Sequence, residues 1–592
     1  MHFTKIMHPI GELNKINMKN KFKFLGVLIA FSVFTISCNQ HSTKDYSSST
    51  EQKVIPKSPQ GVIDIQEEVI NKQEDKFILR EEVLEAEEEP QMESLNYNLN
   101  KAYNHYPHPP INKAPEITES YANIKENKFK VSTEEPLSTF SLDVDRASYS
   151  NVRRMLLDGV KPDPNAVRIE EMINYFNYNY DTPKGKHPIQ VNHELTTCPW
   201  NAQHQILHLG IQATELDQDE LPSSNIVFLM DVSGSMNQSN KLPLVKSSFK
   251  LLLSQLKPTD RVAIVTYAGN AGIALESTEI SEKKKILKAL ESLQSGGSTA
   301  GAQGIKSAYA IAEENFIEDG NNRIILATDG DFNVGINSPD KLKNLIEKKR
   351  KSGVYLSVLG FGTGNYKDHQ MQVLADAGNG NHSYIDNLKE AQKILIKEFG
   401  GTLFTVAKDV KIQIEFNPSY VGAYRLIGYE NRLLNKEDFN DDTKDAGEIG
   451  IGHSMTAIYE IVPTGVSSNL VGSVDALKYQ NEEAPISRNK NNELATIKFR
   501  YKNPKENTSI KFENIVSAEM TSFSKTNENV RFALAVANFG MHLRDSNYLQ
   551  DSNLDDVIKL ANDSKGIDNE GEKAECIQLI KLFKQLIEIG EE

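Results

Sequence analysis

The sequence predicts an α/β fold, a doubly wound and mostly parallel sheet inserted in a β-sandwich-like unit, with a helical carboxy-terminal tail. Three observations carry that expectation. Between 225 and 400, apolar runs such as Ile226–Met230 and Arg323–Thr328 alternate with segments of helical spacing. A short continuous apolar run reads as a strand buried on both faces, and its alternation with helices argues for a parallel sheet. On both sides, at 188–214 and at 402–520, short alternating strands are separated by turn-rich linkers, the pattern of a sandwich. From Asn527 onward the apolar spacing returns to three and four residues.

The chain has 592 residues and a net charge of −15. That length leaves room for several cores at roughly 100–200 residues each, and the charge speaks against a nucleic-acid partner. Residues 1–38 read as an address. Lys19, Lys21 and Lys23 form a basic region before the apolar stretch Phe24–Ile36, which is too short to span a bilayer and fits a secretory signal. It ends Thr35-Ile36-Ser37-Cys38. This resembles a bacterial lipoprotein box, in which Cys38 would become the acylated, membrane-inserted amino terminus, although Thr35 stands where Leu is usual. A plain secretory signal or an amino-terminal anchor with an incidental Cys is the alternative, and Met18 would start a more ordinary signal. With Cys38 acylated, only Cys198 and Cys576 remain. They could pair in an oxidising compartment, but two cysteines make no disulfide framework.

Residues 39–130 read as an acidic and polar tether. His41–Gln60 is rich in Ser, Thr, Lys and Gln, and acidic runs such as Glu87-Glu88-Glu89 follow. Such a chain cannot bury enough apolar surface to fold, and its r.m.s. reach is on the order of 50–60 Å. Residues 131–222 carry a strand at Thr139–Val144, helices at Ala147–Leu157 and Ala166–Phe176, and strands at Ile189–His193 and Gln205–Ile211. Residues 223–401 form the α/β domain. Its strands are Ile226–Met230, Arg261–Tyr267, the antiparallel edge Gly272–Thr278, Arg323–Thr328, Val354–Gly360 and His382–Ile385. Its helices are Leu242–Leu256, Lys283–Leu293, Ala302–Asn315, Pro339–Lys351 and Leu388–Phe399. Residues 402–522 form the β unit, with strands at Val410–Phe416, Ala423–Gly428, Met455–Val462, Ala495–Tyr501 and Ser509–Phe512. Residues 523–592 are helical, over Val530–Leu543, Leu554–Ala561 and Ala574–Ile589.

The chemistry concentrates where Ile226–Met230 ends, in Asp231-Val232-Ser233-Gly234-Ser235. Ligands of open α/β sheets bind just beyond the carboxyl ends of such strands. A carboxylate and two hydroxyls at i, i+2 and i+4 are hard oxygen donors, suited to Mg²⁺, Mn²⁺ or Ca²⁺. Downstream, the glycine-rich Ser295–Gly301 precedes a helix, and Arg323–Thr328 ends in Thr328-Asp329-Gly330. Together these resemble the metal-ion-dependent adhesion site of von Willebrand factor type A domains. The resemblance implies a metal held by Asp231, Ser233, Ser235 and Thr299, with Asp329 acting directly or through water, and one position left for an acidic side chain of a protein ligand. The alternative is that these hydroxyls only cap helices.

Other constellations look chemical. Asp329–Gly335 opens like a calcium loop but has Val334 at its sixth position. Asp143-Val144-Asp145 is placed like a phosphoacceptor motif but has Ala147 where Thr or Val belongs. His204 and His208 are spaced as in zinc peptidases, but Gln205 replaces the Glu and the context is strand-like, so both read as ordinary surface or core histidines. Trp200 and the run Tyr175–Tyr180 read as packing.

Ser138–Asp145 with Ala166–Phe176, and Tyr424–Arg432 with His453–Pro463, resemble the YfbK-like bacterial lipoproteins, in which a type A domain is flanked by an amino-terminal segment and a carboxy-terminal domain of unknown function. That resemblance carries no activity with it. Taken with the lipoprotein box and the type A site, the expectation for the chain is a non-enzymatic envelope protein, membrane-anchored through Cys38 and facing the periplasm or the surface, binding a protein partner through Mg²⁺. An envelope assembly or stress factor working independently of the metal is the alternative. A metal-dependent hydrolase is disfavoured because no general base stands out near the site.

Overall fold

The computed structural model describes residues 118–590, apart from 143–144, 218–219, 269–270, 298–300, 331–338, 473–491 and 551. The signal segment, Cys38, Asp143, Thr299 and most of the tether lie outside the described residues. Strands β1 (Lys130–Val131) and β2 (Leu137–Ser141) lead to helices α1 (Ala147–Leu157) and α2 (Ile169–Ile173), and then to the hairpin β3 (Ile189–Thr197) and β4 (Gln205–Ala213). Residues 118–130, read from the sequence as the end of the tether, belong to the folded body. Ser120 bridges to Lys367, Asn127 donates to the carbonyls of Leu426 and Gly428, and β1 pairs with Ala423 and Tyr424. Local polarity hid this, because the contacts are all with distant chain. The expected helix Ala166–Phe176 is also shorter. A 3-10 turn at Pro164–Ala166 gives way to extended Val167 and Arg168, which carry the buried Arg168 guanidinium to Asp368, 2.7 Å away.

The α/β part runs β5 (Ser224–Asp231), α3 (Leu242–Leu252), β6 (Arg261–Tyr267), β7 (Ala271–Glu279), α4 (Lys283–Ser292), α5 (Gly301–Glu314), β8 (Asn321–Thr328), α6 (Pro339–Lys349), β9 (Tyr355–Phe361), α7 (Asp368–Ala377) and β10 (His382–Ile385). The sheet order is β10-β9-β8-β5-β6-β7, parallel except for β7 at the edge. This is the doubly wound sheet the apolar runs predict, and β5 is buried along its whole length at the centre. Helix α7 was not read from the sequence, because its buried apolar residues are few: Met371, Leu374, Ala375 and Ala377. The expected helix Leu388–Phe399 is broken into α8 (Leu388–Gln392), a π turn (Lys393–Lys397) and α9 (Phe399–Leu403). There the backbones of α9 and the following sheet touch: a Cβ on Gly450 would lie 1.8 Å from the Gly401 carbonyl oxygen.

The remaining strands are β11 (Thr405–Phe416), β12 (Val421–Ile427), β13 (Gly447–Gly450), β14 (Ser454–Pro463), β15 (Glu493–Lys502) and β16 (Ser509–Ser517). The tail is α10 (Glu528–Leu543), α11 (Leu554–Asp563) and α12 (Glu572–Gly590). One antiparallel sheet has the order β1-β12-β14-β4-β3, and the other β13-β11-β15-β16 with β2 paired to β11. Between them lie Phe140, Leu207, Ile211, Ile414, Tyr459 and Ile497. Both sheets thus combine strands from before and after the α/β insertion, and β4 pairs directly with β14. β13, with two glycines in four residues, is defined only by its pairing with β11.

The tail packs on α1 and α2 around Tyr149, Phe176, Phe532, Phe539 and Phe583. Trp200, Tyr175 and Tyr178 are part of that core, as their reading as packing residues expects. Arg153, at the centre, donates to Asp386, Glu390, Glu575 and the Tyr175 hydroxyl, tying α1 to the insertion and to the tail. Asp145 accepts from the backbone N–H of His382 at 2.8 Å and from Arg432 at 2.7 Å, which makes it a structural pin. Cys198 and Cys576 are buried and unpaired.

Candidate metal centre

β5 delivers Asp231 to the carboxyl edge of the sheet, and the chain then turns sharply. Val232 donates to the Tyr267 carbonyl on β6 at 3.0 Å, and Ser233, extended at φ −61° and ψ 166°, opens a 3-10 turn over Gly234–Asn237. Asp231 Oδ1 accepts from the Ser233 backbone N–H at 2.8 Å. The turn brings the Ser233 and Ser235 hydroxyls within 3.0 Å of each other. The glycine-rich loop closes over them, with Gly234 N donating to the Gly297 carbonyl at 3.0 Å and Gly296 N to the Val232 carbonyl at 2.7 Å. Asp231, Ser233 and Ser235 are therefore assembled at one point, and Thr299 lies outside the described residues.

Asp329 arrives from the end of β8. Its position depends on Gly330, whose φ of +94° suits only glycine and where a Cβ would meet the Lys367 backbone nitrogen at 2.6 Å. Two residues that the sequence reading passed over complete the site. Thr328 Oγ1 lies 3.5 Å from Asp231 Oδ2 and accepts from the Gly330 N–H at 3.0 Å. Lys241 Nζ lies 2.9 Å from Asp329 Oδ2, with both side chains almost fully buried, and it also donates to Asn365 Oδ1 at 3.1 Å. Asn365 Nδ2 donates to the same Asp329 oxygen at 3.2 Å. The lysine stem reaches in past Gly362, where any Cβ would overlap it. Thr328 was visible as a hydroxyl beside Asp329, whereas nothing in the spacing of Lys241 pointed to the site.

The electrostatics suit a cation. Burial pushes the Asp231 carboxyl up to about 7, the nearby Asp329 charge adds to this, and hydrogen bonds from Ser233 and Tyr267 only partly oppose it. A buried carboxylate held that high lacks positive charge, and beside the Ser233 N–H its neighbours include the hydroxyls of Ser233 and Thr328. Asp231, Ser233 and Ser235 thus fit a small hard divalent ion. Among the described residues no group of three or more His, Cys, Asp or Glu gathers in a metal-binding arrangement, here or elsewhere, so the donors at this point are one carboxylate and hydroxyls.

Residues 225–397 match the von Willebrand factor type A domain family, residues 115–208 a segment described as von Willebrand factor, and residues 401–586 the family described as uncharacterized protein YfbK, C-terminal. The uncharacterized protein YfbK of Escherichia coli (strain K12) is 44% identical over 481 residues, which cover 80% of this chain and 82% of that protein. Among solved structures, a von Willebrand factor type A protein from Catenulispora acidiphila is 15% identical with a TM-score of 0.36, covering 65% of this chain and 89% of its own. The ArnB paralog VWA2 from Sulfolobus acidocaldarius is 14% identical with a TM-score of 0.32, covering 68% and 98%.

Proposed function

Because the chain belongs to the YfbK family of von Willebrand factor type A proteins, we propose that it is a membrane-tethered envelope protein whose type A domain grips a protein partner through Mg²⁺. The observation that carries this reading is the meeting of the buried Asp231 carboxylate with two hydroxyls 3.0 Å apart at the end of the central strand. Asp231, Ser233, Ser235 and, by family resemblance, Thr299 would hold the ion. Asp329 Oδ2 already receives Lys241 and Asn365, which favours a water-bridged role for that carboxylate. When bound, the ion supplies an electrophilic coordination position. Among the described residues its surroundings carry two carboxylates, Asp231 and Asp329, against the ammonium of Lys241, so with these groups a divalent ion leaves one net positive charge. A partner carboxylate is the group that would neutralise it. Acylation of Cys38 and the polar tether would set the binding domain off the membrane surface, with the metal site binding rather than turning over its ligand.

The test is a thermal melt of residues 118–592 with and without Mg²⁺, on wild type and Asp231→Ala. A ligand bound only to the native state raises stability by about 2.7 kcal/mol at a hundredfold excess over Kd. A Mg²⁺-dependent rise confined to wild type is expected. An equal rise in Asp231→Ala would refute the assignment of the ligand. Partner capture that persists in EDTA would favour the assembly-factor reading.

A further inference from the structure

A second chemical constellation lies in the β unit, on none of the loops that carry the metal residues. His204 occupies the turn that enters β4, held by its backbone N–H to the Asn201 carbonyl at 3.0 Å. Its ring is buried, and Phe129 packs edge-on against it at 5.6 Å. Nδ1 lies 2.6 Å from Glu460 Oε1 on β14, and Nε2 lies 3.0 Å from the hydroxyl of Ser468, in the loop that follows β14. Glu460 Oε2 is held by Arg425 Nη2 at 2.7 Å. Burial alone would raise the Glu460 carboxyl, but the His204 hydrogen bond and the Arg425 charge outweigh it and hold the group below its usual range. An ionised Glu460 can only accept, so Nδ1 carries the ring proton. In the neutral ring Nε2 presents its lone pair to Ser468, which then donates, while the Ser468 oxygen accepts from the Leu470 N–H at 3.4 Å.

That is the arrangement of an activated nucleophile: a hydroxyl, a base within hydrogen-bond reach, and a third group that fixes the base's tautomer. Ser468 is half-buried and lines a cleft of about 820 Å³ together with Trp200, Asn201, Gln203, Phe523 and Leu560. The indole N–H of Trp200 is buried and has no hydrogen-bond partner among the described residues. The described lining includes the carboxylate of Asp556 and no lysine or arginine, so an anionic acyl group would find no counter-charge.

We infer that Ser468, His204 and Glu460 form a serine-hydrolase site for small uncharged carboxylic esters, departing from the non-enzymatic expectation for this chain. Ser468 Oγ attacks the ester carbonyl while its proton passes to His204 Nε2. The tetrahedral adduct collapses, the C–O bond to the alcohol breaks, and His204 protonates the leaving alkoxide. Water, giving a proton to His204, then attacks the acyl-serine. The carboxylic acid leaves, and the proton returns to Ser468. The net reaction is ester plus water to acid plus alcohol. Glu460 is a positioning residue that keeps the imidazole in the required tautomer.

The chain from residue 118 onward, in EDTA so that metal binding plays no part, is treated with a fluorophosphonate probe and separately with p-nitrophenyl acetate. The probe reports an activated serine, since the Ser Oγ–P bond forms as fluoride leaves. Labelling at Ser468, identified by peptide mass spectrometry, is expected in wild type and in Ser467→Ala. It should fall by about 100-fold or more in Ser468→Ala, with ester hydrolysis falling in parallel and melting temperatures unchanged. If wild type is unlabelled while a known serine hydrolase in the same tube reacts, or if Ser468→Ala labels like wild type, the inference is overturned. Ser468 is then only a hydrogen-bond partner for a core histidine.

Discussion

Replacing Lys241 by methionine keeps the length of the stem that passes Gly362 and removes only the ammonium. At 2.9 Å, and with an effective dielectric constant of about 20, its attraction to Asp329 is about 6 kcal/mol. Part of that offsets desolvation, and removing one partner of a buried pair costs about 3–5 kcal/mol, because the other charge stays behind unpaired. For a unit the size of the type A domain, 1 kcal/mol moves the melting temperature by about 2–4 °C, so in EDTA the variant should melt about 10 °C below wild type. Mg²⁺ brings positive charge to the same pocket. Its stabilising effect should therefore be larger in Lys241→Met than in wild type, and affinity for an acidic partner should drop as the site's net charge falls by one. The assay is differential scanning fluorimetry in EDTA and across a Mg²⁺ titration. A variant as stable as wild type in EDTA, or one that gains no more from Mg²⁺, would refute the view that Lys241 is the resident counter-charge of the site.

Arg153→Met should strand Asp386, Glu390 and Glu575 around one lost cation and cost at least about 3–5 kcal/mol. Because Glu575 belongs to α12, limited proteolysis should release the tail before the rest of the chain is cut, and an intact tail would count against this. His208 is held neutral by burial, down to about 3, while in the unfolded chain it takes a proton near 6.5. Its contribution is therefore complete above pH 6.5 and is lost as pH falls from there towards 3. By pH 4.5 the loss is about 2–3 kcal/mol. Since His208→Gln lacks it, the stability difference between wild type and variant, from urea denaturation at pH 7 and 4.5, should shift by that amount.

What the sequence determined by itself is local. The buried strand ending in Asp231, with hydroxyls two and four residues on, was legible because apolar periodicity and a tight turn are properties of a few consecutive residues. The alternation of strands and helices was legible for the same reason, down to His382–Ile385. Only the tertiary structure decided which distant groups meet. Lys241 faces Asp329 across 88 positions because Gly362 leaves room for its stem. β14 is placed between β4 and β12, which sets Glu460 opposite both Ile206 and Arg425, and the chain on either side of β4 and β14 then supplies His204 and Ser468. No propensity encodes such pairings. They follow from strand order and register, where a shift of one residue turns every side chain to the other face. His204 therefore looked like an ordinary core histidine until the fold gave it a carboxylate on one nitrogen and a hydroxyl on the other.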